Sequence, residues 1–315
     1  MMKMIMASKL YDAGKAMLEG KIIMEEHFCN DVHEILPYLE SADGLFIGNQ
    51  KVGKDIFEAA PSLKFIAKQG SGFDNVDIQE ATKRGIPVVI SDGINARAVA
   101  EHVMMLVLAA SRRINIYDKG VRNCGFSLRT TCQELSLENK TMGLIGYGRI
   151  GAIVGEYAKA FKMNISVYDP YIKRIEGIDI CDTLDELLKK SDVVSIHVPL
   201  TPSTKKLIGE KELEMMKDSS ILVNCSRGGI VDENALAEAL DSGKLWGAGV
   251  DVYSSEPVKE DNPLLKENNA VLTPHSAALT KESSIEMSSM TASGILAICE
   301  GKKWNHVANP DVFNS

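Results

Sequence analysis

Short apolar runs recur along the first third of the chain, each about a strand long and each followed by a segment that mixes apolar and polar positions at helical spacing. The runs are "KMIMASKL", "KIIMEE", "GLFIGNQ", "LKFIAKQG" and "IPVVISDG", separated by segments such as "NDVHEILPYLE" and "NVDIQEATKRG". Continuous apolar strands alternating with amphipathic helices predict a parallel sheet covered on both faces, a doubly wound α/β unit. It spans residues 1–96.

The stretch "NARAVAEHVMMLVLAASRRINIYDKGVRN" comes next. Its apolar residues Val99, Val103, Met104, Leu106, Val107, Ala110 and Ile114 fill more than one stripe, so one long, largely buried helix is expected. The alternation then restarts at "MGLIGYG" and continues through "NISVYDP", "DVVSIHVPL", "SILVNCSRGG", "WGAGVDVYSSEP" and "AVLTPHSA". A second doubly wound unit over residues 97–284 follows from that pattern. The closing segment, "KESSIEMSSMTASGILAICEGKKWNHVANPDVF", reads as a helix and a tail, and residues 285–315 are expected to return to the first unit and make it discontinuous.

Composition narrows the chemistry. The 315 residues are 45% hydrophobic and 25% charged, ordinary for a globular protein of two domains. A formal charge of −8 with no block of Lys and Arg argues against nucleic acid as a partner. The longest apolar candidate, "VMMLVLAA", falls far short of the roughly 20 residues that cross a bilayer, so no membrane partner is expected. The opening "MMKMIMASKL" meets a second lysine before any small-residue cleavage site and is expected to be a strand, not a signal, which places the protein in the cytoplasm. Cys29, Cys124, Cys132, Cys181, Cys225 and Cys299 form no C-x-x-C pair and no metal-ligand spacing with His, so free thiols and no metal are expected.

The stretch "TMGLIGYGRIGAIVGEYAKAFKMNISVYDP" carries the first chemical signal. A buried-strand pattern runs directly into G-Y-G-R-I-G and then into an amphipathic helix, the order a dinucleotide-binding turn requires. Gly146 permits the tight turn, Gly148 lets the backbone approach a pyrophosphate, and Gly151 allows close helix–strand packing, while the helix N-terminus offers unpaired N–H donors. Asp169 lies about 18 residues beyond Gly151, close to the spacing of about 20 at which an acid meets the ribose hydroxyls. NAD is therefore expected over NADP, with Lys173 and Arg174 nearby as the residues that argue the other way.

Ligands of open α/β sheets bind outside the carboxyl ends of the strands. Arg227 follows "SILVNCS", Glu256 follows "GAGVDVYSS" and His275 follows "AVLTP". A guanidinium can hold an α-carboxylate with paired bonds, and an imidazolium can protonate a carbonyl oxygen as hydride reaches the carbon. A neighbouring carboxylate orients such a ring and favours its charged form. His197 in "SIHVPL" is a competing imidazole, but no acid accompanies it, and a structural or cofactor-lining role is expected.

These features resemble the D-isomer-specific 2-hydroxyacid dehydrogenases. The resemblance covers nearly the whole chain, through "KQGSGFDNVD", "NARAVAEH", "GLIGYGRIG", "HVPLTPSTKKLIG", "NCSRGGIVDENAL", "GAGVDVYSSEP" and "LTPH" in the family's order. It implies a Rossmann NAD domain inserted in a flavodoxin-like substrate domain, and a homodimer built on the long helix. Arg227, Glu256 and His275 match the family's catalytic residues, and Asp251 matches the residue that holds the nicotinamide carboxamide. Arg149 and Ile150 would lie along the pyrophosphate, with Pro199, Thr204, Cys225, Ser226 and Ala277 lining the cofactor. Ser71 and Gly72 match the loop whose N–H groups meet the substrate carboxylate. One departure is "HSAALT", where many members carry glycines; Ala277 and Ala278 stay small, so a slightly altered pocket is expected.

The implied activity is NAD-dependent interconversion of a D-2-hydroxy acid and its 2-oxo acid. A formate dehydrogenase is disfavoured because that chemistry needs no acid–base pair and its members carry glutamine where Glu256 stands. A corepressor-like NAD(H) sensor of the same fold is the alternative, and no tail for partner recruitment is seen. Lys68, two residues before Gly70, stands where phosphoglycerate dehydrogenases carry an arginine. It reads either as a surface lysine or as a cation for a substrate's distal anion. Glyoxylate, hydroxypyruvate, pyruvate and 3-phosphohydroxypyruvate, the oxo partner of 3-phosphoglycerate, all suit the shared machinery. The chain ends at Ser315 without a regulatory domain, so serine feedback is not expected.

Overall fold

The computed structural model describes residues 1–130 and 134–314, so Cys132 lies outside the described residues. In chain order the elements begin with β1 (Met2–Met6), α1 (Asp12–Leu18), β2 (Ile22–Glu26), α2 (Leu36–Leu39), β3 (Gly44–Ile47), α3 (Lys54–Ala59), β4 (Phe65–Lys68), α4 (Ile78–Lys83) and β5 (Val88–Val89). Then come α5 (Ala96–Ser111), α6 (Ile114–Arg122), β6 (Thr141–Ile145), α7 (Arg149–Ala160), β7 (Asn164–Tyr168), β8 (Asp179–Ile180) and α8 (Leu184–Lys190). The last are β9 (Val193–Ile196), α9 (Glu210–Met215), β10 (Ser220–Asn224), α10 (Glu233–Asp241), β11 (Leu245–Val250), β12 (Ala270–Leu272) and α11 (Lys281–Cys299).

Two compact units result, residues 1–95 with 279–315, and residues 96–278. The chain returns to the first unit at Leu279, ahead of α11, whose first turn is capped by Thr280 Oγ1 accepting from Ser283 N–H at 3.1 Å. No helix among the described residues is long and apolar enough to cross a membrane.

In the first unit five parallel strands run in the order β2-β1-β3-β4-β5. Alternate residues of one strand serve opposite cores: Ile5, Leu45, Ile47 and Ile66 pack on one face, Met4, Met6, Phe46 and Phe65 on the other. Burial on both faces is why these strands read as continuous apolar runs. α11 covers the second face with Ala292 and Ile295.

The second unit has seven parallel strands in the order β12-β11-β10-β9-β6-β7-β8, with the order reversing at β6, between β7 and β9. One face buries Val99, Val103 and Val107 of α5 and Val154 of α7. The other buries Leu187 of α8, Leu213 of α9, and Leu236 and Leu240 of α10.

The expected single long helix is two helices. Arg113 takes φ 49°, a left-handed conformation that ends one helix and starts the next, and its guanidinium stacks 3.9 Å from the Trp246 ring centre. Beyond this break α6 buries no residue, and Ile114, grouped with the buried positions from its spacing, is 52% exposed.

Candidate active site

Strand register builds the site's platform. Tyr168, Ile145, Ile196, Asn224, Val250 and Leu272 are in-register partners from β7 across to β12. All strands are parallel, so the residues that follow this row leave the same carboxyl edge, and they include Asp169, Gly146, His197, Cys225, Asp251 and Thr273. The reversal of strand order at β6 and β9 opens the crevice where open α/β sheets hold ligands.

The glycine turn sits at that crevice. Gly146 has φ 88°, and a Cβ there would fall 2.9 Å from the His197 carbonyl oxygen. Gly148 caps α7 with no side-chain hydrogen bond, and nothing lies within 4 Å of where its Cβ would be. An uncapped helix N-terminus facing open space fits a pyrophosphate, because its N–H groups need an acceptor. Arg149 is exposed at the first turn of the same helix, with half-buried Ile150 behind it and buried Gly151 tucked against the Gly146 carbonyl.

Asp169 clasps the turn from the next strand: Oδ2 accepts from Tyr147 N–H at 2.9 Å and Oδ1 from Tyr171 N–H at 3.0 Å. A carboxylate oxygen accepts twice, so each keeps a lone pair for a ribose hydroxyl. Lys173 and Arg174 are exposed in the following loop.

His197 keeps some exposed surface, but its Nε2 is buried without a hydrogen-bond partner among the described residues. Burial pushes the imidazole down to about 4, so the ring stays neutral at neutral pH and serves as a wall behind Gly146 and Gly151.

The three residues with acid–base and carboxylate chemistry leave β10, β11 and β12. His275 Nδ1 is 2.6 Å from Glu256 Oε2, with both side chains about a quarter to a third exposed (34% and 23%). Glu256 Oε1 also accepts from Tyr253 N–H at 3.1 Å. Burial pushes the Glu256 carboxyl up, but the hydrogen bond and charge of His275, the Tyr253 N–H and the Arg227 charge outweigh it and hold it below the usual glutamate value. Arg227 is held through its backbone: Asn224 Nδ2 donates to its carbonyl at 3.0 Å, and Asn224 Oδ1 accepts from Ser226 N–H at 3.1 Å and Ser226 Oγ at 2.8 Å.

His275 has φ 53°, and Asp251 imposes that strained turn. Its backbone carbonyl accepts from His275 N–H at 2.8 Å, and its side chain accepts from Ser276 N–H at 2.9 Å, Ala277 N–H at 3.0 Å and Thr273 Oγ1 at 2.5 Å. The single Thr273 hydroxyl proton goes to Asp251, so His102 Nε2, 3.0 Å from that hydroxyl, must be the donor to it. Burial pushes the Asp251 carboxyl up, yet the approach of His102 Nε2, 3.5 Å from Oδ1, and the bonds from Thr273, Ser276 and Ala277 prevail and hold it low. The carboxylate expected to hold the cofactor thus also shapes the His275 turn. Burial, with the Asp251 charge added, pushes the neighbouring Cys225 thiol well above its ordinary value. Pro199 and Thr204 belong to one turn, Thr204 Oγ1 donating to the Pro199 carbonyl at 2.6 Å.

In the first unit Lys68 ends β4 and is only 7% exposed, which removes the surface-lysine reading. Its Nζ donates to Asn75 Oδ1 at 2.5 Å, and Asn75 Nδ2 donates to the carbonyls of Gly48 and Gln50 at 3.1 and 2.6 Å. Half-buried Ser71 and Gly72 lie in the loop that follows, whose first residue Gly70 donates its N–H to Ser91 Oγ at 2.7 Å. Asn75, Asn224, Glu233, His102 and Thr273 were not singled out from the sequence. A polar residue closing a buried strand was the available signal for Asn224.

Residues 104–277 match the model of the D-isomer specific 2-hydroxyacid dehydrogenase, NAD binding domain. The chain belongs to this family. It is 38% identical over 314 residues to the D-3-phosphoglycerate dehydrogenase of Methanocaldococcus jannaschii, covering 98% of this chain and 60% of that one. Against the Archaeoglobus fulgidus phosphoglycerate dehydrogenase it covers 53% of the relative, so the chain spans little more than half the length of these enzymes. The glyoxylate reductase of Korarchaeum cryptofilum is 38% identical over 307 residues, with 92% of each chain covered. Among solved structures, D-lactate dehydrogenase from Aquifex aeolicus, complexed with NAD and lactic acid, superposes with a TM-score of 0.85 at 29% identity, over 95% of this chain and 96% of that one.

Proposed function

We propose that the protein is an NAD-dependent oxidoreductase that interconverts a D-2-hydroxy acid and its 2-oxo acid. The 2.6 Å contact between His275 Nδ1 and Glu256 Oε2 carries this reading, because it sits on the sheet edge that also bears Arg227 and the glycine turn. An ionised Glu256 can only accept, so Nδ1 is the donor and Nε2 is left to exchange a proton with the substrate. In reduction His275 gives that proton to the carbonyl oxygen; in oxidation it takes one from the hydroxyl. Arg227 holds the α-carboxylate with a fork of donors. Bound NAD supplies the hydride carrier, with Gly146, Gly148, Arg149, Ile150, Gly151 and Asp169 holding it and Pro199, Thr204, Cys225, Ser226, Asp251 and Ala277 lining it.

Ser71 and Gly72 are assigned to the substrate carboxylate, and Lys68 to a distal anion. The Lys68 assignment is supported by its burial at a strand end, where a lysine is uncommon. The candidate acids are 3-phosphoglycerate and the reduced forms of hydroxypyruvate and glyoxylate. A homodimer is supported by α6, which buries nothing while Ile114, Val121 and nearby Phe126 stand exposed. A cytoplasmic location agrees with the free thiols of Cys29, Cys124, Cys181, Cys225 and Cys299.

A panel of glyoxylate, hydroxypyruvate, pyruvate and 3-phosphohydroxypyruvate, run with NADH and NADPH, tests the function. NADH oxidation by at least one of them is expected. Binding of NADH with no oxidation would return the sensor reading.

A further inference from the structure

We propose that Glu233 is a positioning residue that clamps the Glu256-bearing loop onto the Arg227-bearing loop and so sets the geometry of the acid–base pair. This rests on the reduction of 2-oxo acids proposed above.

The chain leaves β11 at Val250 and has no helix or strand until the short helical turn at Pro263–Lys266. Glu256 lies in this irregular stretch. Two carboxylate oxygens from outside hold the stretch in place: Glu233 Oε1 accepts from Ser254 N–H at 2.6 Å, and Oε2 accepts from Ser254 Oγ at 3.0 Å and from Asn262 Nδ2 at 2.7 Å. Asn262 is 9% exposed and caps the following turn through Leu264 N–H at 3.0 Å, with Leu264 fully buried in the core. Both ends of the loop that carries Glu256 are therefore tied to one side chain.

An independent contact joins Arg227 to the same peptide. A Cβ at Gly228 would fall 1.8 Å from the Tyr253 carbonyl oxygen and 2.7 Å from Ser254 N, so the backbone beside Arg227 rests on the peptide that Glu233 grips. Asn224 secures the near side of that turn through the Arg227 carbonyl. Glu233 itself is rigidly mounted. It opens α10, whose cap Asp232 accepts from Asn234 and Ala235 N–H at 3.1 and 3.4 Å and whose Leu236 and Leu240 are buried. A first-turn acid that only complements the helix dipole would not aim both oxygens at residues 254 and 262.

The test compares steady-state NADH oxidation by the wild-type chain, Glu233→Gln, Glu233→Ala and Glu256→Gln with the best 2-oxo acid of the panel, across pH, with NADH affinity and Tm measured alongside. Glu233→Ala is expected to lower kcat on the order of 10–10²-fold, the scale of a slight misplacement in a preorganised site. Its pH–rate profile should change in the same sense as that of Glu256→Gln, with NADH affinity kept. Glu233→Gln retains an oxygen for the Ser254 N–H and should lose less; it carries the test alone if the alanine chain does not fold. In the Glu256→Gln background, Glu233→Ala should add little. Wild-type kcat and pH profile in both Glu233 variants would overturn the inference, as would equal shifts in the two, which would signal a distant charge and not a grip. Fully multiplicative losses in the double variant would also overturn it, because they mean a general structural role. A wild-type chain that oxidises NADH with no 2-oxo acid removes the reaction and this inference together, whereas wild-type turnover with unaffected variants removes the inference alone.

Discussion

Glu256 Oε2 lies 2.6 Å from His275 Nδ1, and the two residues reach each other from separate strand ends. The carboxyl is held below the ordinary glutamate value, with burial opposing and the His275 contact prevailing. The sign follows: the pair contributes stability above the ordinary glutamate value, and that contribution is lost as pH falls through the lowered one. An ionised Glu256 accepts from Nδ1 and so fixes the ring's orientation with Nε2 left for the substrate. Glu256→Gln should therefore lower kcat/KM and change its pH profile, because the amide is not an acceptor-only group and does not ionise. A pH–rate profile of kcat/KM identical to wild type would remove Glu256 from the mechanism.

Arg227→Gln should keep NADH affinity and lose most turnover, because one amide cannot replace two parallel charge-assisted bonds. Each such bond contributes about 1.5–3 kcal/mol. Fluorescence titration with NADH together with kcat/KM separates the two effects; near-wild-type kcat/KM contradicts the assignment.

Cofactor choice should rest on Asp169, whose Oδ2 accepts from Tyr147 N–H in the glycine turn and whose Oδ1 accepts from Tyr171 N–H in the loop after β7. NADH should be strongly preferred by the wild-type chain, and Asp169→Ala should narrow the gap, since a 2′-phosphate no longer meets a carboxylate. Preference for NADPH in the wild type would hand control to Lys173 or Arg174.

Lys68→Met should abolish any advantage of phosphorylated or dianionic 2-oxo acids over pyruvate while leaving pyruvate nearly unaffected. Equal losses for pyruvate and 3-phosphohydroxypyruvate would reduce Lys68 to its hydrogen bond with Asn75.

His197 makes the second unit acid-sensitive. Its folded value of about 4 lies below the ordinary histidine value of 6.5, so the unfolded chain takes up the proton first and stability falls as pH is lowered across that window. The full difference is about 3 kcal/mol, present above the unfolded value and lost as pH falls toward the folded one. In urea unfolding at pH 7 and pH 5, His197→Gln should lose less stability than wild type. Equal losses would show that the ring is not kept neutral.

How much of this was legible in the sequence depended on the kind of burial. Strands such as β3, with all four residues buried, announce themselves as apolar runs because both faces of a parallel sheet are covered. The glycine turn was legible because each glycine has its own steric task. The break after α5 was not, since Ile114 keeps the helical period and only the left-handed Arg113 ends it. β8 is two residues long, too short to leave a periodic signal. Lys68 was ambiguous because its partner Asn75 lies on a loop that local pattern does not place. Glu233 reads from sequence as an ordinary first-turn acid, and its work on residues 254 and 262 emerges only once β11 is laid beside β10.

The central claim, reduction of a 2-oxo acid with His275 as the proton donor, is tested most directly by one comparison. NADH oxidation is followed for the wild-type chain and His275→Ala on the same 2-oxo acid, with the configuration of the product and the NADH affinity determined for both. The account predicts a D-2-hydroxy acid from the wild type, and unchanged NADH affinity with a kcat lower on the order of 10²–10⁴-fold in the variant, the range for loss of one general acid. An L product, or a His275→Ala chain that turns over at the wild-type rate, would contradict it.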